Sequence, residues 1–147
     1  LQRPVAMAAA ADEALLLHLA GRLALRVFEL RHDAAFHMER AGLTDADCPA
    51  VAAAVRANTH VRACWLGGNH LTGAGAAVAL RALAAHPQVV DVVLEGNDLD
   101  DDCAEALQGL VARHATLRAL HLGGNPLLTA IGPLAAALAR AGAGPTS

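Results

Sequence analysis

Five positions within residues 61–71 (VRACWLGGNHL) govern what this chain can fold into, because they come back twice. Val61, Cys64, Leu66, Asn69 and Leu71 return as Val89, Val92, Leu94, Asn97 and Leu99. They return again as Leu117, Leu120, Leu122, Asn125 and Leu127, with 28 residues between copies each time and no gap. A fixed period of this size marks stacked supersecondary units, none of which can bury its apolar face alone. Each unit reads as a strand of about five residues, a sharp turn at the asparagine, then a helix. Helices are predicted over residues 45–57, 73–85, 101–113 and 130–141, with Thr44 and Asp100 as N-caps and Pro133 near a first turn. Every return passes through a helix, so the strands must pair in parallel.

The pattern L-x-x-L-x-L-x-x-N-x-L in a 28-residue unit resembles the leucine-rich repeat, in the long helical variety of the ribonuclease-inhibitor type, over residues 33–144. The resemblance implies an α/β fold. It would be a short right-handed leucine-rich-repeat solenoid, a horseshoe segment with its parallel β-sheet on the concave side and its helices on the convex side. Residues 61–88, 89–116 and 117–144 are the good repeats. Residues 33–60 form a degenerate one, with Asp33 and Ala41 where the leucine and asparagine belong. Residues 8–32 read as one capping helix with Leu15, Leu16, Leu19, Leu23, Val27 and Leu30 on its apolar face. Arg22, Arg26 and Arg31 fall on its other side or near its end. Residues 1–7 are read as a tag or linker remnant and residues 145–147 as a flexible tail.

The asparagines Asn69, Asn97 and Asn125 stand where the chain leaves each strand. Their amides can donate to and accept from backbone groups of adjacent units, which predicts a structural ladder with no part in catalysis. Strand side chains alternate between faces. With Cys64/Leu66, Val92/Leu94 and Leu120/Leu122 inward, three rows face outward. These are Ala35–Ala63–Asp91–Ala119, His37–Trp65–Val93–His121 and Glu39–Gly67–Glu95–Gly123. Trp65 is the expected anchor for a partner, a large apolar surface in water with Val93 beside it and His37, Asp91, Glu95 and His121 as a polar rim.

Composition closes off other functions. A net charge of −3, a pI near 6.2 and 2% aromatic residues leave neither a basic field nor a stacking platform for nucleic acid. No apolar run is long enough to span a bilayer, and Asp12 and Glu13 precede the apolar residues 14–19 where a secretory signal carries basic groups. Three cysteines without close spacing suit a reducing compartment, and cytoplasmic localisation is expected.

The histidines offer no set of metal ligands. His37 and His121 stand three strands apart, while His86 and His114 share a repeat position without a third ligand. His18 and His32, on or near the cap helix, are expected in solvent. The acidic run Asp98, Asp100, Asp101 and Asp102 lacks the ligand spacing of a calcium loop. Cys48, Cys64 and Cys103 fall at inward positions and read as small buried hydrophobes. No cofactor and no enzymatic activity are expected. The predicted function is a non-enzymatic protein–protein interaction module using the concave strand face. The alternative is a structural or self-associating piece of a larger array, a homo-oligomer joined through an uncapped C-terminal edge.

Overall fold

The computed structural model describes residues 5–114 and 116–129, with side chains described from residue 10 onward. Among these residues lie helices α1 (Val5–Leu23), α2 (Val27–His32), α3 (Cys48–Ala57), α4 (Gly73–Ala84) and α5 (Ala104–Arg113). Strands β1 (Ala35–His37), β2 (Ala63–Trp65), β3 (Asp91–Val93) and β4 (Ala119–His121) alternate with α3 to α5. The result is a mixed α/β fold around one parallel sheet in the order β1-β2-β3-β4. Phe36, Cys64, Val92 and Leu120 stand opposite one another across the four strands. The degenerate first unit is therefore in register with the rest.

Regular strands are shorter than predicted, yet pairing continues past their ends. Met38, Leu66 and Leu94 N–H groups donate to the carbonyls of Trp65, Val93 and His121. Two residues on, Arg40, Gly68 and Gly96 donate to Gly67, Glu95 and Gly123. Single 3-10 turns, Asp45–Asp47 and Asp101–Cys103, lead into α3 and α5. The Asp100 carboxylate caps the second turn, accepting from the Asp102 N–H at 3.1 Å. At Thr44 the roles reverse: its N–H donates to the Asp47 carboxylate. Helix α4 starts without such a turn, and Gly73 and Gly75 in its first turn make room for its neighbours' carboxylates. A Cβ at Gly75 would lie 2.0 Å from Asp45 Oδ1, and one at Gly73 would lie 2.1 Å from Asp100 Oδ1. The predicted helix over residues 130–141 and the proposed C-terminal edge lie outside the described residues.

Two expectations need correction. The cap is two helices, not one. Helix α1 ends in a left-handed Ala24 (φ 55°), with Leu25 N–H reaching back to Ala20 and Ala24 N–H to Gly21. The break turns the chain so that α1 and the short α2 both pack on the first repeat, burying Leu16, Leu19 and Leu30. His18 and Arg22 do not simply face solvent: both donate to the buried Asp47 carboxylate, at 2.8 and 3.1 Å. Arg22 also donates to the Gly42 carbonyl. His32 is exposed, stacked between Phe28 and His60.

The second correction concerns the last copy of the repeat. Leu71 and Leu99 are fully buried, whereas Leu127 is 61% exposed and Leu128 takes the core position. A turn closed by Leu128 N–H on the Asn125 carbonyl accommodates one extra residue, just after Pro126. Thr129 then donates to Asp101 as Thr72 donates to Asp45. The remaining apolar positions pack as the spacing requires. Leu66, Leu94 and Leu122 are buried with Leu43, Leu80, Leu83, Leu107 and Leu110 between sheet and helices.

Polar columns run through this core. Asn69 accepts from the N–H groups of Ala41 and Leu43 and donates to the carbonyls of Met38 and Leu66. Asn97 accepts from Leu71 and donates to Leu66 and Leu94. Asn125 accepts from Leu99 and donates to Leu94 and Leu122.

At the helix C-termini a second column joins Asn58, His86 and His114. His114 Nε2 donates to the His86 carbonyl, His86 Nε2 donates to the Asn58 carbonyl at 2.6 Å, and Asn58 Nδ2 donates to Leu30 and Asp33. The other ring nitrogen of each histidine serves the turn that follows. His86 Nδ1 accepts from Gln88 N–H, and His114 Nδ1 lies 3.0 Å from Thr116 Oγ1.

Burial holds the His114 imidazole below the usual 6.5, with repulsion from His86 in the same direction and the bond to the His86 carbonyl opposing them. The unfolded chain therefore takes up a proton that the folded chain refuses, so this contribution is intact above pH 6.5 and lost as pH falls from there. The urea midpoint should be lower at pH 5.5 than at pH 7.5, with a smaller drop in His114→Asn, since Asn58 shows that an amide suits this position. An unchanged pH dependence in that variant would remove the assignment. Asp47 acts in a separate, more acidic window. Burial would raise its pKa, but the Thr44 N–H, His18 and Arg22 outweigh this and hold it below 3.8.

Candidate functional site: the outward face of the sheet

The inward side of every strand is sealed against helices, so the outward side carries the residues available for function. The register sets His37 beside Trp65, Trp65 beside Val93 and Val93 beside His121, with Ala35, Ala63, Asp91 and Ala119 in the adjoining row. Neighbouring rows bring five of the six predicted partner-binding residues into one network. The indole N–H of Trp65 donates to Asp91 Oδ2 at 3.0 Å. Asp91 Oδ1 lies 3.4 Å from His121 Nε2, and His121 Nδ1 lies 3.5 Å from Glu95 Oε1. On the other side the His37 ring meets the indole edge-on, with centroids 4.6 Å apart and planes at 75°. His37 Nδ1 is 3.7 Å from Glu39. Val93, the sixth, is a half-buried apolar neighbour.

Trp65 is not the free-standing apolar surface that strand alternation predicts. It is half-buried, held at its nitrogen by Asp91 and at its edge by His37. The His37 contact joins register partners, whereas the bond to Asp91 crosses between strands diagonally, which periodicity within one repeat cannot reveal. Their consequence is a ring fixed in orientation before any partner arrives. Asp91 Oδ1 is buried and makes no hydrogen bond.

Beyond the tryptophan, where the chain leaves the strands, a groove of about 830 Å³ opens. It is lined by Glu39, Arg40, Val93 and Glu95 over a floor of glycines. Gly68, Gly96 and Gly124 repeat the same left-handed turn (φ 67–69°), which only glycine adopts without cost. Arg40 occupies their position in the first unit with φ 51°, and its stem lies over Gly68. Sequence reasoning missed Arg40. Extending the glycine column back by one period would have found it.

The other chemistry-bearing residues are separate from this face. Cys48, Cys64 and Cys103 are free and buried. Burial pushes their thiols up to about 12, 12 and 11, far from the thiolate a nucleophile requires. Among the described residues no group of three or more His, Cys, Asp or Glu is placed to hold a metal ion. No described helix is long and apolar enough to cross a membrane.

Among solved structures, the chain is similar to leiomodin-1 actin-binding site 2. Identity is 20% and the TM-score is 0.58, over 73% of this chain and 62% of that one. The likeness is one of fold. No protein-family model matches the sequence, and no curated protein matches it.

Proposed function

We propose that this chain is a segment of a leucine-rich-repeat solenoid of the ribonuclease-inhibitor type that binds another protein through its outward, concave strand face and performs no chemistry of its own. The observation that carries the reading is Trp65. A half-buried indole oriented by Asp91 and His37 presents its remaining surface beside Val93 and an open groove. Anchors of this type dominate interface energies, and an anchor ordered in advance loses less freedom on binding. The similar structure carries an actin-binding site, which supports a protein-binding role and makes actin the first partner to test. Buried free thiols fit a working place in the reducing cytoplasm.

The test is capture from native lysate, and from purified actin, on wild-type chain and Trp65→Ala in parallel. The variant should lose partner affinity by at least tenfold, equivalent to about 1.4 kcal/mol, under conditions where its own urea curve shows it fully folded. Partners retained equally by both chains would sink the reading.

A further inference from the structure

We infer that the notch between Glu39 and Glu95 takes one cationic side chain, arginine or lysine, from an extended segment of the partner. This rests on the sheet face being the partner surface. The outward row runs Glu39–Gly67–Glu95–Gly123, so two carboxylates flank a position with no side chain. With strands about 4.8 Å apart, the strands carrying the glutamates are ~10 Å apart, wide enough for an ammonium or guanidinium group resting over Gly67. Both glutamate side chains are close to half-exposed, so they can close on the incoming charge without losing all their water.

Charge complementarity selects the occupant. The groove lining holds two carboxylates, Glu39 and Glu95, against one cation, Arg40. Arg62 and Arg118 are exposed in the segments that lead into β2 and β4, at the opposite end of the strands from the notch. Trp65 lies two residues before Gly67 on the same chain and supplies an aromatic surface beside the notch. A guanidinium stacks on such a surface better than an ammonium does, so arginine should be preferred to lysine. Glycines along the floor allow the partner's backbone to approach the sheet closely.

The probe is a displayed library of random dodecapeptides, selected against the whole chain and read in three ways: peptide sequence, the indole N–H resonance of Trp65, and affinity for variants. Selected peptides should share one arginine or lysine and shift the Trp65 resonance. They should lose about tenfold in affinity for the Glu39→Gln/Glu95→Gln double variant and weaken as salt rises. Glu105→Gln, a carboxylate on α5 away from the sheet, should leave affinity unchanged. Peptides that move Trp65 but carry no shared basic residue, or bind the double variant equally well, overturn the notch while the face survives as a binding surface. Failure to select any peptide that moves Trp65 removes the face itself, and the notch with it.

Discussion

Asn97→Ala should cost on the order of 3 kcal/mol of folding stability, read as a lower urea midpoint with an unchanged slope. The side chain is buried and serves two repeats at once. It accepts from the Leu71 N–H and donates to the carbonyls of Leu66 and Leu94 at 3.0–3.1 Å. Alanine strands the Leu71 N–H where water does not reach, at about 1–3 kcal/mol. It also removes one of the two amide donors from each carbonyl, leaving Leu66 to Asn69 and Leu94 to Asn125. Asn97→Asp makes the sharper comparison. It keeps the acceptor but replaces the donating NH₂ with an oxygen aimed at two carbonyls, so it should be worse than alanine at pH 7, despite its closer shape. An alanine variant within 1 kcal/mol of wild type would show that the ladder is not what fixes the turns.

The second large effect separates two leucines that the repeat treats as equivalent. Leu99→Ala should cost about 3 kcal/mol, within the ordinary 2–5 for a fully buried leucine. Leu127→Ala should change stability by no more than about 0.5 kcal/mol, because that side chain is mostly in solvent. Leu128→Ala should cost clearly more than Leu127→Ala, since Leu128 holds the core position. Equal losses for Leu99 and Leu127 would return Leu127 to the core and remove the extra residue after Asn125.

These cases mark how far the sequence can be read. The strand register and the onset of helical turns at residues 45, 73 and 101 were legible because side chains separated by one period meet similar surroundings from unit to unit. The first three residues at 45 and 101 nevertheless form 3-10 turns ahead of the α-helix. The slip at Leu127 was not, because a second leucine follows it and the two are chemically identical. Only the turn closed on Asn125 distinguishes them. The break at Ala24 was equally hidden. Alanine is the best helix former, and its left-handed backbone is imposed by packing on the first repeat, not by local preference. At the sheet face, periodicity placed His37, Trp65, Asp91, Glu95 and His121 on one surface. The bonds among them depend on diagonal neighbours and side-chain reach, which one row of letters does not encode. His86 and His114 were visible as a matched pair, but their purpose lies in carbonyls belonging to the preceding repeat.

That last arrangement has a dynamic consequence. Both polar columns hand bonds across the boundary between one unit and its neighbour, so a solitary unit would lose the partners that the adjoining unit supplies. Loosening should therefore begin at an outer unit and advance inward by whole repeats, each departure exposing the next in line. Amide exchange would record a staircase along the chain, with its slowest steps at Leu66 and Leu94.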